Sequence, residues 1–137
     1  MSAKKSKFPY VKAKKKQAIA HATIHKGKGV VRVNGQNMAR LQPPLVRMFI
    51  EESLELAGPL GKEVDVNVHV HGGGFMGQAV AIRSCIAKAL TRYSRDEKLR
   101  KSFLAYDRLL LVDDPRRVES KKPLGPKARR KKQKSKR

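Results

Sequence analysis

Val64-Asp65-Val66-Asn67-Val68-His69-Val70-His71-Gly72-Gly73-Gly74-Phe75-Met76-Gly77 carries two periodicities back to back. Val64, Val66, Val68 and Val70 point one way, and Asp65, Asn67, His69 and His71 point the other. A strict period of two is the mark of a strand covered on one face only. After the glycines the period changes. Phe75, Ala79, Ile82, Ile86, Leu90 and Tyr93 fall on one narrow stripe, which predicts a long helix. Lys88, Arg92 and Arg95 project from its other side, where cations suit either solvent or phosphate. A half-covered strand running into a helix with one apolar stripe requires a sheet layer and a helix layer.

Working outward, Ala18 to His25 is a strand candidate. Gly27 and Gly29 bracket a tight turn, and Val30 to Val33 gives a second strand, so the pair reads as an antiparallel hairpin. Asn34-Gly35 is a turn dipeptide, and Pro43-Pro44 suits a helix start. Val46, Phe49, Ile50, Leu54 and Ala57 share a face, which predicts a helix over 44–57, stopped by Gly58-Pro59. Glu51, Glu52 and Glu55 read as its solvated side. A shorter helix over 97–106 carries Leu99, Phe103 and Leu104, and Leu109 to Val112 reads as the last strand. The order β-β-α-β-α-α-β predicts an α/β two-layer sandwich: a small mixed four-stranded sheet with helices on one face.

Charge divides the chain of 137 residues into three parts. Residues 1–17 sum to +7, residues 18–114 to +4 and residues 115–137 to +11, half of the total of +22. A globular domain over 18–114 is therefore expected between a basic N-terminal extension and an extended basic C-terminal tail. Pro115, Pro123, Gly125 and Pro126 break the tail, and Val118, Leu124 and Ala128 are its only aliphatic residues. It cannot bury enough apolar surface to offset the entropy of ordering. So many uncompensated cations repel one another until phosphates neutralise them, which points to a polyanionic partner.

Other chemistries fare poorly. One cysteine excludes a disulfide framework and Cys-based zinc modules. No apolar run approaches the roughly 18 residues of a membrane span. No apolar core follows the basic opening, so a secretory signal is not expected and an intracellular, cytoplasmic setting is. Gly72-Gly73-Gly74-Phe75-Met76-Gly77 formally fits G-x-G-x-x-G after a strand. The preceding strand is half polar, however, no acid closes a following strand, and no room remains for a nucleotide-binding sheet. The glycines read instead as a tight connection, or as a bare helix N-terminus able to meet a nucleic-acid phosphate. His21, His25, His69, His71 and Cys85 form no metal-ligand pattern, and no nucleophile–base pair stands out. No enzyme activity and no cofactor are expected. A DNA-compacting protein and a small nucleotide-dependent enzyme are the rival classes, and the near-balanced middle of the chain argues against the first.

Several blocks, taken in order, resemble one family. Lys14-Lys15-Lys16-Gln17-Ala18-Ile19-Ala20, with Gly27-Lys28-Gly29 and Val33-Asn34-Gly35, is similar to the opening of the small-subunit ribosomal protein nine family, number sixteen in older eukaryotic naming. His71-Gly72-Gly73-Gly74-Phe75-Met76-Gly77-Gln78-Ala79 resembles its Gly-rich signature. Tyr106-Asp107-Arg108, the run Leu111 to Arg117, and Glu119-Ser120-Lys121-Lys122 resemble its domain end, in the archaeal and eukaryotic wording. Gln133-Lys134-Ser135-Lys136-Arg137 resembles its tail, with Lys136 where those members usually carry Tyr. The resemblance implies a place in the head of the small ribosomal subunit, among neighbouring ribosomal proteins and with no membrane. It implies ribosomal RNA contacts at Lys14, Lys15, Lys16, Gly72, Gly73, Gly74, Arg116, Arg117, Lys121, Lys122, Arg129, Arg130, Lys131 and Lys132. It further implies that Lys134, Lys136 and Arg137 reach the peptidyl-site transfer RNA.

Overall fold

The computed structural model describes residues 9–135. In chain order the elements are β1 (Tyr10–Lys15), β2 (Ala18–Lys26), β3 (Val31–Val33), β4 (Gln36–Asn37), α1 (Pro44–Ala57), α2 (Pro59–Glu63), β5 (Val64–His71), α3 (Phe75–Ser94) and α4 (Glu97–Tyr106). The architecture is the expected α/β sandwich. Its sheet has five strands, not four, in the order β1-β2-β5-β3-β4.

β5 lies at the centre, antiparallel to β2 and parallel to β3. Its valines face inward and are at most 8% exposed. β1 and β2 present mostly alanine to the same side: Ala13, Ala18, Ala20 and Ala22 have no exposed surface. Such small side chains let α3 come down close upon the sheet. Ala79, Ile82, Cys85, Ile86 and Leu90 of α3 complete the core from above. α1 and α4 pack in turn on α3, and Phe103 is wholly buried. α3 is thus enclosed on several sides, and ten of its residues are buried.

Four expectations need correction. First, β2 and β3 do not form a hairpin, because β5 inserts between them. The Gly27–Val30 link wraps around the start of β5. The Asp65 carboxylate accepts from the backbone N–H groups of Lys28 and Val30, each at 2.8 Å, and Gly27 N–H donates to the Glu63 carbonyl at 2.9 Å. A Cβ on Gly27 would lie 2.0 Å from the Asp65 carboxyl carbon, so the link requires glycine there. Second, residues 10–15, read as part of a basic extension, are the edge strand β1. Third, Leu109 to Val112 is no strand. Arg108–Leu110 is a 3₁₀ turn capped by the Asp107 carboxylate, which accepts from Leu109 N–H at 2.8 Å. A four-residue aliphatic run suits a buried turn as well as a strand, and the Asx cap tips the balance. Fourth, Phe75 leaves the apolar stripe and is 59% exposed, at the first residue of α3.

Candidate nucleic-acid interface

Three pieces of chain meet at one corner: the β1–β2 turn, the glycine run and the start of the tail. β1 and β2 are joined by Lys16 and Gln17, with Lys16 at φ 54°. Gly72 and Gly73 pack directly against this turn in the left-handed region, at φ 75° and 63°. A Cβ on Gly72 would sit 2.5 Å from the Gln17 carbonyl oxygen, and one on Gly73 would sit 3.1 Å from Ala18 N. Both space and backbone conformation therefore select glycine. Gly74 precedes α3 without a side-chain cap, so the first-turn N–H groups lack a capping oxygen. They border a groove of about 620 Å³ lined by Lys15, Lys16, Gly74, Gly77, Arg117 and Val118. A helix N-terminus with cations around it attracts an anion.

The tail leaves from this corner and is latched to it. Asp114 is 8% exposed. It pairs with Lys15 Nζ, and Arg116 grips it with Nε at 2.9 Å and Nη2 at 2.6 Å from Oδ2. Arg116, and then Lys15, hold the Asp114 carboxyl well below the usual carboxylate range. Asp113 takes Lys88 Nζ at 2.5 Å, and Arg117 donates from Nη1 to the Lys16 carbonyl.

Lys15 and Arg116 are therefore tied to a carboxylate within the protein, although Arg116's side chain is still 73% exposed. Lys14 is half-buried and its backbone N–H reaches Asp113 at 3.4 Å; Lys16 is exposed. The glycine run joins these residues at the corner. Further along, Glu119 binds Lys122 Nζ at 3.2 Å and Arg129 Nε at 2.9 Å. The chain doubles back there, and a Cβ on Gly125 would lie 2.2 Å from the Arg130 carbonyl oxygen. The tail, expected to be extended, loops back on itself over 119–130. Lys121, Arg130, Lys131, Lys132 and Lys134 are exposed and, among the described residues, have no carboxylate partner. Among the described residues, no helix or strand forms beyond the 3₁₀ turn at Arg108–Leu110. Among the described residues, side-chain bonds beyond Arg117 stay within the tail. Lys136 and Arg137 lie outside the described residues.

Some cations and acids have partners that periodicity did not reveal. Lys88 pairs with Asp113, and Arg92 Nη1 donates to the Tyr10 carbonyl at 3.1 Å, so neither simply faces outward. Glu52, read as solvated, receives the buried Arg83 at 2.6 Å and the Tyr106 hydroxyl. Arg83 also reaches Asp107 at 2.5 Å and lies over the Phe49 ring at 5.7 Å. This network fastens the end of α4, just before the tail, to α1 and α3. An Arg buried in the middle of an apolar stripe is the signal that a carboxylate waits nearby.

Cys85 is buried, and burial pushes its thiol up to about 11, far from a reactive thiolate. Among the described residues no group of three His, Cys, Asp or Glu is placed to hold a metal, and no helix is long and apolar enough to cross a membrane. Fold and corner together define an α/β domain that brings the β1–β2 turn, a helix N-terminus and the cations of the tail's start to one place.

Residues 13–137 match the family described as Ribosomal protein S9/S16, and the chain belongs to that family. It is similar to proteins named small ribosomal subunit protein uS9. The Halobacterium salinarum protein is 45% identical over 123 residues, covering 89% of this chain and 93% of the relative. The Pyrobaculum aerophilum protein is 44% identical over 122 residues, covering 89% and 86%, and that of Picrophilus torridus 44% over 122 residues, covering 89% and 92%. The chain is thus a structural, non-enzymatic component of the ribosome, and its setting is the cytoplasm.

Proposed function

We propose that this protein binds ribosomal RNA in the head of the small subunit and sends its C-terminal tail to the peptidyl-site transfer RNA. The observation that carries this reading is the latch. It fixes the start of a tail whose cations Arg130, Lys131, Lys132 and Lys134 are exposed and, among the described residues, form no ion pair, beside a body that is itself nearly charge-balanced. Lys14, Lys16 and Arg117 hold phosphates at the corner, beside the first-turn N–H groups that follow Gly72, Gly73 and Gly74. Lys15 and Arg116 act there chiefly by fixing the direction of the tail. Lys121, Lys122, Arg129, Arg130, Lys131 and Lys132 displace counter-ions from the RNA, and Lys134, Lys136 and Arg137 meet the transfer RNA. Neighbouring ribosomal proteins have Leu45 and Met48 of α1 to pack against, 48% and 64% exposed.

A clamp of this kind is salt-dependent. Neutralising about six to ten phosphates lowers affinity roughly 10³–10⁵-fold between 50 and 200 mM salt. Deleting residues 115–137 is expected to flatten that dependence for a ribosomal RNA fragment. An unchanged slope removes the tail from the mechanism. Deleting only Lys136 and Arg137 leaves assembly intact and weakens transfer-RNA retention by purified subunits; normal retention counts against the transfer-RNA contact.

A further inference from the structure

Among the described residues, no element covers the sheet face away from α3. All four histidines of the chain lie on the strand positions that alternate with the buried ones. His21 is paired across the ladder with His69, and His71 lies one diagonal step away, opposite Ile19. Tyr10 joins them from β1. Its ring centroid is 5.4 Å from that of His21, with planes 16° apart, and its hydroxyl is 2.6 Å from His21 Nδ1. His21 and His71 follow at 6.1 Å and 23°. Three near-parallel rings therefore cross β1, β2 and β5.

The charge of this face is one-sided. Lys12, Lys14 and Arg32 lie on it, the first two opposite His21 and Ile19 and the third opposite Asn67. Asp65 is the only carboxylate on the five strands, and it is occupied by the Lys28 and Val30 N–H groups. Partial burial, and then Lys12, hold the His21 imidazole below its ordinary value, so the middle ring is neutral at neutral pH. Aliphatic surface is scarce, with Ile19 half-buried. A protein partner prefers an apolar, charge-poor centre. Rings interleaved with cations suit an unpaired nucleic-acid strand, whose bases stack and whose phosphates are neutralised.

We propose that the open sheet face is a platform for unpaired nucleotides of RNA, with bases extending the Tyr10–His21–His71 stack and Lys12, Lys14 and Arg32 holding the phosphates. This rests on the RNA-binding reading above and adds to it a surface that meets the corner only at Lys14 and does not use the tail. The test uses the full chain and a 2-aminopurine-labelled single-stranded RNA of about twelve nucleotides, within the span of site sizes such platforms cover. Tyr10→Ala with His71→Ala should weaken binding about tenfold or more at every salt concentration and abolish base quenching. The salt slope should stay the same, because no cation is removed. Tyr10→Phe with His71→Phe keeps the rings and should keep the quenching. Tyr10 and His71 are both exposed, so the core survives these changes.

Quenching and affinity unaltered by the alanine pair overturn the platform. So does cross-linking of Lys12 or Lys14 to another protein in assembled subunits, which gives the face to a protein partner. Salt-dependent binding without base quenching defeats the platform alone. A wild-type chain that binds neither this strand nor a ribosomal RNA fragment defeats the RNA-binding reading itself.

Discussion

The core beneath α3 and the tail beyond Arg117 are held by opposite physics. In the core, alanines and valines of the sheet meet Ile82, Ile86 and Leu90 of α3, and stability comes from apolar area removed from water. In the tail, Glu119 is the only acid among ten cations, and among the described residues its pairs with Lys122 and Arg129 take the place of an apolar core. Between them stand Asp113 and Asp114, which belong to both. They hold Lys88 and Lys15 of the body on one side, and Asp114 grips Arg116 of the tail on the other. The body thus has an apolar core of its own, while the tail is organised by charge pairs alone.

Three substitutions sharpen or break this contrast. The largest effect is expected from Phe103→Ala, which empties a fully buried site and costs about 3–5 kcal/mol in urea unfolding. It should leave the salt dependence of RNA binding untouched; a changed slope means body and tail are not separable. Asp114→Asn comes second. It should lower the thermal midpoint and loosen the tail's direction, seen as faster proteolysis near Arg116 and Arg117. The sign of its pH dependence is fixed. The folded carboxyl is depressed below its unfolded value of 3.8, so its stabilisation is present above that value and is lost as pH falls below it. The variant's stability curve should therefore lack part of the wild-type acid limb below about pH 4. A parallel acid limb means the latch contributes nothing. Glu119→Gln is the mildest. It frees Lys122 and Arg129, opens the loop over 119–130 and leaves unfolding unchanged, with RNA affinity slightly raised; a stability loss ties the loop to the body.

Legibility followed the same divide. β5 and α3 were readable because a period of two and a helical stripe are local patterns. Non-local pairing was not. Nothing in Gly27–Val30 by itself says that it bends around Asp65 and leaves room for β5. β1 was hidden by its lysines, although Val11 and Ala13 keep the alternation and are buried. Asp107 decided the fate of Leu109–Val112 through a single cap, which hydrophobicity does not register. At the corner, charge counting located Lys14–Lys16 and Arg116–Arg117 but could not tell paired from unpaired cations. That distinction depends on Asp113 and Asp114, about a hundred residues from the lysines they meet.

The only sulfhydryl of the chain is Cys85, with its Sγ 3.4 Å from the Val11 carbonyl and 3.5 Å from that of Ala20. An alkylating reagent gains access there only when the long helix lifts from its bed of alanines. Labelling kinetics at this one atom consequently time the opening of the whole domain, and whatever RNA does to that clock reads out how far assembly grips the interior.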